Sequence, residues 1–221
     1  KRESLTGNEL EEIRLCLIDA MEQLNERGGR LPFNATIWGQ NFGFDMSPSG
    51  YRLHASHQQI HQQFALVPSR VSAAEGEENE LSQSSISTYT EGDLVAQFAK
   101  EYKDKTNHEF FETYLRAIQN NRRMDGRADK DRDLIFYQDE NVMAFVPKAQ
   151  RSQGEIQIMT KKRCGNIIET NTKERNSLDR AILIAMKVLE NLGAEMITAW
   201  ELSKRFDNPD RDQRLLYSFI P

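Results

Sequence analysis

The segment from residue 49 to residue 68 has a side-chain pattern typical of an extended strand with two different faces. Three of the four histidines fall within it, together with two Gln-Gln pairs. Read with the two-residue period of a strand, its second half separates into two sets. One set is mostly apolar and can face a core: Ile60, Gln62, Phe64 and Leu66. The other set points the opposite way: Gln59, His61, Gln63 and Ala65.

The polar set places one imidazole between two primary amides on a single surface. Amide groups donate hydrogen bonds to phosphate oxygens, and a neutral imidazole nitrogen can attack phosphorus to form a covalent intermediate. The pattern therefore favours chemistry on a phosphate group, with His61 as the nucleophile between Gln59 and Gln63.

This stretch resembles the histidine-triad superfamily, in the branch of galactose-1-phosphate uridylyltransferase and diadenosine tetraphosphate phosphorylase. That branch carries a pattern close to N-x-G…G-A-S-x-P-H-x-H-x-Q-F. Here the matching residues are Asn41-Phe42-Gly43, Ala55-Ser56, His61, Gln63 and Phe64. The sequence departs from the family pattern in two ways. Gln59 occupies the position of the first histidine of the pair, and several extra residues separate Asn41 from Ala55.

The resemblance implies that His61 takes up the nucleotidyl group. The preceding family histidine fixes the tautomer of the nucleophile partly through its backbone carbonyl, which a glutamine also offers. The implied phosphate-binding residues are Gln63, Ser56, Asn41 and Gln59. Further candidates near the site are His57, His54 and Arg52. The implied reaction requires no cofactor, and no metal ligand is assigned.

Two other interpretations of the histidine stretch are open at this point. His54, His57 and His61 are spaced three and four apart, which on a helix would place them on one face as metal ligands. A helix is disfavoured by the residues Gly50, Tyr51, Phe64 and Val67. A metal site is disfavoured because the run has no Asp or Glu. The stretch could also be a half-buried strand without chemistry.

Composition excludes several classes of function. The chain has 221 residues, a formal net charge of −5 and 38% hydrophobic residues, so we expect a globular protein without a basic field for nucleic acid. Its two cysteines, Cys16 and Cys164, form no metal or redox motif, which favours a cytoplasmic setting. No apolar run approaches a membrane span. The expected partner is a nucleotide or nucleotide-sugar substrate, and a homodimer is left open.

The rest of the chain divides into four segments. Residues 1–70 form the closing part of a first histidine-triad-like half, with a helix that has a Thr6–Glu9 capping box. Residues 71–92 are an acidic, Ser-rich linker, and residues 93–133 a helical connector. Residues 134–221 form a second half, with a long helix at about 172–191. Its last strand carries no histidine, which makes it a degenerate copy.

The expected fold is α/β of the α+β type, with tandem histidine-triad-like halves, an antiparallel sheet and packed helices. The opening strands of the first half are missing before Lys1, and the chain does not begin with Met, so we expect a piece of a longer protein. The expected function is that of a nucleotidyltransferase or phosphorylase acting on a nucleoside di- or polyphosphate compound. The alternative is a degenerate relative that binds nucleotides without turnover, for which Gln59 is the main argument.

Overall fold

The computed structural model describes residues 6–26, 31–43, 60–72 and 85–221. Within these ranges the chain forms four α-helices and nine strands. The helices are α1 (Gly7–Glu26), α2 (Glu91–Thr106), α3 (Phe110–Gln119) and α4 (Thr172–Asn191). The strands are β1 (Ala35–Gly43), β2 (Ile60–Val67), β3 (Arg70–Ser72), β4 (Ser85–Ser87), β5 (Ile135–Gln138), β6 (Val142–Phe145), β7 (Ile156–Thr160), β8 (Met196–Leu202) and β9 (Leu216–Ile220).

Seven of these strands form one sheet in the order β2-β1-β8-β9-β7-β6-β5. Every neighbouring pair in it is antiparallel. Strands β3 and β4 pair separately as a small ribbon. The predicted α+β class with an antiparallel sheet and packed helices is therefore confirmed, and the part of the histidine stretch that the structure describes is a strand.

Helices cover both faces of this sheet because alternate strand residues project to opposite sides. On one face, α1 and α4 pack on a core that includes Val142 and Ala144 of β6. On the other face, α2 and α3 pack on a core that includes Met143 and Phe145 of the same strand. We call these the α1/α4 face and the α2/α3 face. No helix in the described ranges has an apolar stretch long enough to cross a membrane.

The order helix, strand, strand occurs twice, as α1-β1-β2 and as α4-β8-β9. The two units meet through the antiparallel pairing of β1 with β8, and α1 packs beside α4. This arrangement agrees with the predicted tandem halves. It also brings the histidine-bearing strand into the same sheet as the second half, two strands away from β8.

The helix boundaries follow the capping signals of the sequence. The backbone N–H of Thr6 donates to the Glu9 carboxylate, and the backbone N–H of Glu9 donates to the Thr6 hydroxyl, as the capping box predicts. Helix α4 matches the predicted range, and a capping box between Asn171 and Glu174 begins it. Leu24 lies at an exposed position near the end of α1.

Other segments differ from the sequence-based expectation. Leu66, assigned to the core, is about half exposed because it lies in β2, which pairs only with β1 among the described strands. The two described ends of the predicted linker 71–92 are ordered as β3 and β4, and α2 begins inside it at Glu91. Strand β1 extends to Gly43, so that Asn41 and Gly43 lie in the strand.

The first turn of α2 rests directly on the end of β8. A Cβ atom added at Gly92 would lie 1.8 Å from the carbonyl oxygen of Ser203, a backbone atom that cannot move aside cheaply. The backbone carbonyl of Gly92 also accepts a hydrogen bond from the side-chain amide of Gln213, at 3.1 Å. Only glycine therefore permits this contact between α2 and the sheet.

We expect Gly92→Ala to lower the free energy of unfolding by about 2 kcal/mol or more, because the new methyl group overlaps backbone atoms. Gly7→Ala is the matched control, since a Cβ atom there meets nothing within 4 Å. Its effect should stay within about 0.5 kcal/mol. Urea denaturation of both variants measures the difference, and equal stabilities would contradict the close packing of α2 on β8.

Candidate functional site

The pairing of β1 with β2 fixes the positions of the predicted site residues. His61 lies opposite Asn41 in the ladder, and Gln63 lies opposite Gly39. Asn41 also lies opposite Thr198 of β8, so β1 connects the histidine strand to the second half of the chain. The backbone thus brings together His61, Asn41 and Gln63, which the sequence separates by some twenty positions.

The remaining predicted site residues lie outside the described residues. They are Ser56, Gln59, His57, His54 and Arg52. Their contributions to phosphate binding stay predictions, and so does the interpretation of His54, His57 and His61 as metal ligands. Among the described residues, no group of three or more His, Cys, Asp or Glu side chains could hold a metal ion.

The side chains of β2 alternate as its sequence predicts. Gln63 is exposed, whereas Gln62 is partly buried and its side-chain amide donates to the backbone carbonyl of Glu9 in α1, at 3.4 Å. Phe64 packs against the core of the α1/α4 face. Gln63 therefore lies on the α2/α3 face, where its amide is available to a ligand.

A row of five residues crosses the sheet on this face. Neighbouring members lie directly opposite each other in the ladders, which places their side chains on one side of the sheet. The row is Gln63, Gly39, Trp200, Ser218 and Gln157. A Cβ atom at Gly39 would approach only one atom within 4 Å, the carbonyl oxygen of Ala199 at 3.9 Å.

The absence of a side chain at Gly39 leaves an open position between Gln63 and Trp200. A glycine within a strand often marks a place where a ligand approaches the backbone closely. Adjacent strands are about 4.8 Å apart, so the gap from β2 to β8 spans about 10 Å, enough for a phosphate or a sugar ring. We call the surface formed by Gln63, Gly39 and Trp200 the Gly39 gap.

Charged groups hold Trp200 at the edge of the Gly39 gap. The indole Nε1 donates to the Glu91 carboxylate at 2.6 Å, and the Arg151 guanidinium lies 4.5 Å from the ring centroid. The Arg151 side chain is 45% exposed, so it can reach an anion while it stacks on the indole. An aromatic ring beside an accessible guanidinium is suited to a nucleotide or a sugar phosphate.

A buried carboxylate orients Arg151. Glu155 accepts hydrogen bonds from the Arg151 guanidinium at 2.9 Å, the Ser218 hydroxyl at 2.7 Å and the Gln157 amide at 3.0 Å. Burial alone would raise the pKa of Glu155, but these hydrogen bonds outweigh it and lower the pKa to about 2. Glu155 therefore stays ionised and keeps Arg151 in place.

Sequence reasoning did not identify Trp200, Arg151 or Glu155 as site residues. The alternation of polar and apolar residues in β7 indicates that Gln157 faces away from the α1/α4 core. No comparable signal marks Arg151, which lies in a loop, or pairs it with Trp200 across forty-nine residue positions. Their proximity results from the strand order.

Comparison with known proteins gives matches only at the level of structure. No family model matches the chain, and no curated protein matches its sequence. A solved uridylyltransferase superposes with a TM-score of 0.67 and 15% identity, covering 97% of this chain and 56% of its own. A mutant uridylyltransferase structure superposes with a TM-score of 0.67, 14% identity and coverage of 97% and 58%. The chain has the fold of these uridylyltransferases.

An ADP-glucose phosphorylase from Arabidopsis thaliana, solved with bound ADP-glucose, shares this fold. It superposes with a TM-score of 0.60 and 11% identity, covering 95% of this chain and 56% of its own. The chain thus spans a little over half the length of these solved structures. At such identities the likeness shows the fold, and the predicted resemblance is confirmed at that level.

The uridylyltransferase fold of this chain also encloses a buried carboxyl group on the α1/α4 face. Glu201 is 2% exposed and accepts a hydrogen bond from the Tyr217 hydroxyl at 2.8 Å. Burial raises the pKa of Glu201 to about 7, although Tyr217, Arg14 and the nearby hydroxyls of Ser203 and Thr36 act to lower it. The alternation of residues in β8 predicts that Glu201 faces inward. It does not predict that the carboxyl group is buried without an ion-pair partner among the described residues.

The raised pKa of Glu201 makes stability depend on pH. The folded state binds the proton more tightly than the unfolded state, so stability falls as the pH rises from about 4.5 through about 7. The loss from this group should reach about 3 kcal/mol at alkaline pH. Glu201→Gln, which mimics the protonated form, should remove this part of the dependence. Urea denaturation between about pH 5 and pH 9 tests it, and parallel curves for both proteins would refute the assignment.

Proposed function

We propose that this chain carries the reacting half of an enzyme that transfers a nucleotidyl group from a nucleotide sugar, with His61 as the covalent nucleophile. The proposal rests above all on the β1–β2 register, which pairs His61 with Asn41 and Gln63 with the open position at Gly39. In a strand, residues two apart lie on one face, so His61 is expected beside Gln63 at the Gly39 gap.

The proposed first step exchanges one bond to phosphorus for another. A neutral ring nitrogen of His61 attacks the α-phosphorus, and the bond from that phosphorus to the bridging oxygen breaks. The departing sugar phosphate takes the electron pair of that bond. The nucleotidyl group stays on the imidazole as a phosphoramidate until an acceptor phosphate attacks it and regenerates the free histidine.

Described side chains supply what this step needs. The exposed Gln63 amide can donate to a non-bridging oxygen, where negative charge is present throughout the transfer. Across the Gly39 gap, Arg151 can balance the charge on the departing phosphate, since its guanidinium is partly exposed and is oriented by Glu155. The acceptor is proposed to be a phosphate compound, because the family pattern with Gln at position 63 favours transfer over hydrolysis.

The similar solved structures support the choice of substrate class. Two are uridylyltransferases and a third is an ADP-glucose phosphorylase with ADP-glucose bound. The first two are named for the transfer of a uridylyl group, and the third is named for a nucleotide sugar and holds one. A nucleotide sugar is therefore a better first substrate to test than a free nucleotide.

Incubation with UDP-glucose or ADP-glucose should attach one nucleotidyl group to the protein, as detected by intact mass measurement. His61→Gly should abolish the adduct. Gln63→Ala should slow its formation roughly 10²–10³-fold, because it removes a donor to the phosphate oxygens. His54→Ala and His57→Ala are the matched controls and should retain most of the activity.

Two different outcomes would contradict the assignment of His61 as the nucleophile. If His57→Ala is the inactive variant and His61→Ala stays active, the motif has been placed in the wrong register. If all histidine variants form the adduct, none of these histidines is the nucleophile and the proposed histidine mechanism is wrong. An acid-labile adduct with the wild-type protein is required in either case, since phosphoramidates hydrolyse in acid whereas ordinary phosphate esters do not.

Gly39→Val should block substrate without destabilising the fold. The new side chain would project into open space beside Gln63 and Trp200, and valine is favoured over glycine in strands. We expect a loss of nucleotide-sugar binding of at least about tenfold, with a free energy of unfolding equal to or above that of the wild type. Ala65→Val, at an exposed position of β2, is the control. Unimpaired binding by Gly39→Val would show that the substrate lies elsewhere.

The second candidate function is nucleotide binding without turnover. Its support is Gln59, which stands where the family pattern has a histidine. The experiments above separate the two functions. Stoichiometric binding of a nucleotide sugar without an adduct, again lost in Gly39→Val, would favour the binding module.

A further inference from the structure

The indole ring of Trp200 has two faces, and a side chain of the protein covers one of them. The Arg151 guanidinium lies 4.5 Å from the ring centroid and donates to the Ser218 hydroxyl at 2.6 Å. Ser218 is the neighbour of Trp200 on β9. Arg151 therefore covers the indole face that looks toward β9, and the opposite face looks toward β1.

The second face of the indole borders the Gly39 gap. Gly39 lies directly opposite Trp200 on β1 and has no side chain to cover the ring. The indole does not fold over this glycine either, because a Cβ atom there would meet only the Ala199 carbonyl oxygen within 4 Å. Among the described residues, no side chain thus stacks on this face.

A cavity of about 240 Å³ continues the Gly39 gap beside Trp200. The pairing of β1 with β8 stops at Gly39 and Trp200, and the cavity lies where the two strands are no longer paired. Its walls include Ile37 of β1 and the first turn of α2 at Glu91 and Gly92. The gap and the cavity together form a notch with an aromatic wall on one side and an aliphatic side chain on the other.

The carboxylate of Glu91 lies at the edge of this notch. Its Oε2 accepts a hydrogen bond from the Trp200 indole at 2.6 Å. Its Oε1 accepts none from any residue in the described ranges, and the residue is exposed. A carboxylate oxygen accepts hydrogen bonds from hydroxyl groups but repels a phosphate. The notch is therefore suited to a neutral ring that carries hydroxyl groups.

We propose that the free face of Trp200 stacks on the hexose ring of a nucleotide sugar and that hydroxyl groups of this ring donate to Glu91. The C–H groups on one side of a pyranose ring are apolar and slightly positive, whereas the face of an aromatic ring is electron-rich. Trp200 and Glu91 are then residues that determine specificity for the sugar.

The choice of the hexose over the nucleobase rests on the proposed function. In phosphoryl transfer, the attacking and leaving groups lie roughly in line on opposite sides of the phosphorus. His61 attacks from β2, so the leaving sugar phosphate extends away from β2, across Gly39 toward Trp200. The nucleoside, which stays on His61, remains near β2.

Tryptophan fluorescence reports whether this face is occupied. The chain has two tryptophans, and the other, Trp38, is fully buried. Glucose 1-phosphate should therefore cause a saturable change in the emission of the wild-type protein. In titration calorimetry, Trp200→Leu should weaken its binding at least about tenfold, and Trp200→Phe, which keeps a flat aromatic ring, should retain most of it. The affinities for UMP and for inorganic phosphate should be the same in the wild type and Trp200→Leu.

Glu91→Gln tests the hydroxyl contact. It replaces the free carboxylate oxygen by an amide and should weaken the binding of glucose 1-phosphate about tenfold. Glu101→Gln on the same helix is the matched control and should bind as the wild type does, because its carboxylate pairs with Lys105 and does not line the cavity. Since Glu91 is exposed, this pair of variants tests the proposal even if Trp200→Leu does not fold.

The proposal is overturned if the wild type shows no saturable binding of glucose 1-phosphate, or if Trp200→Leu or Glu91→Gln binds it as tightly as the wild type. It is also overturned if UMP gives the fluorescence change that depends on Trp200, which would place the base on the indole. Failure of the proposed function looks different. Binding of glucose 1-phosphate at Trp200 without an adduct from UDP-glucose would refute nucleotidyl transfer and keep the sugar site. An adduct with unimpaired binding by Trp200→Leu would refute the sugar site alone.

Discussion

The backbone pairing of β1 with β8 is the contact on which the rest of the architecture depends. It joins two helix-strand-strand units into one sheet, and it places Gly39 directly beside Trp200. Without it, the β1–β2 pair would be separate from the sheet of the second unit, and no residue of that unit would border Gln63. The short length of this pairing also matters, because it stops at Gly39 and Trp200 and leaves the rest of β1 unpaired with β8.

The sequence predicts the elements with strong local signals and misses those set by distant contacts. The capping residues and apolar spacing of α4 predict its range, and the two-residue period of β2 predicts which side Gln62, Gln63 and Phe64 face. The prediction that Leu66 faces a core is wrong, because the two-residue period shows which side of the strand a residue faces but not how far the helices cover that side. Trp200 could not be predicted as a site residue, because no local pattern in the sequence shows which strand will lie beside β1.

Polar groups inside the core are a second feature that patterns do not reveal. Glu201 occupies an inward position of β8 between Ala199 and Ser203, where an apolar residue would be expected. Arg14 is likewise fully buried in an otherwise amphipathic helix and pairs with Asp179 of α4. The Arg14–Asp179 contact links α1 of the first unit to α4 of the second, so the two units are joined by a directional contact as well as by apolar packing. The Glu201–Tyr217 contact lies within the second unit and links β8 to β9.

The distance along the chain between β1 and β8 has a consequence for synthesis in the cell. At about 5–20 residues per second, a ribosome makes Trp200 on the order of 10 s after Gly39. During that interval the edge of β1 that later pairs with β8 has no partner, and unpaired strand edges promote association between chains. Contacts between positions so far apart also slow folding. The unpaired edge of β1 is therefore a place where nascent chains are open to association before β8 is made.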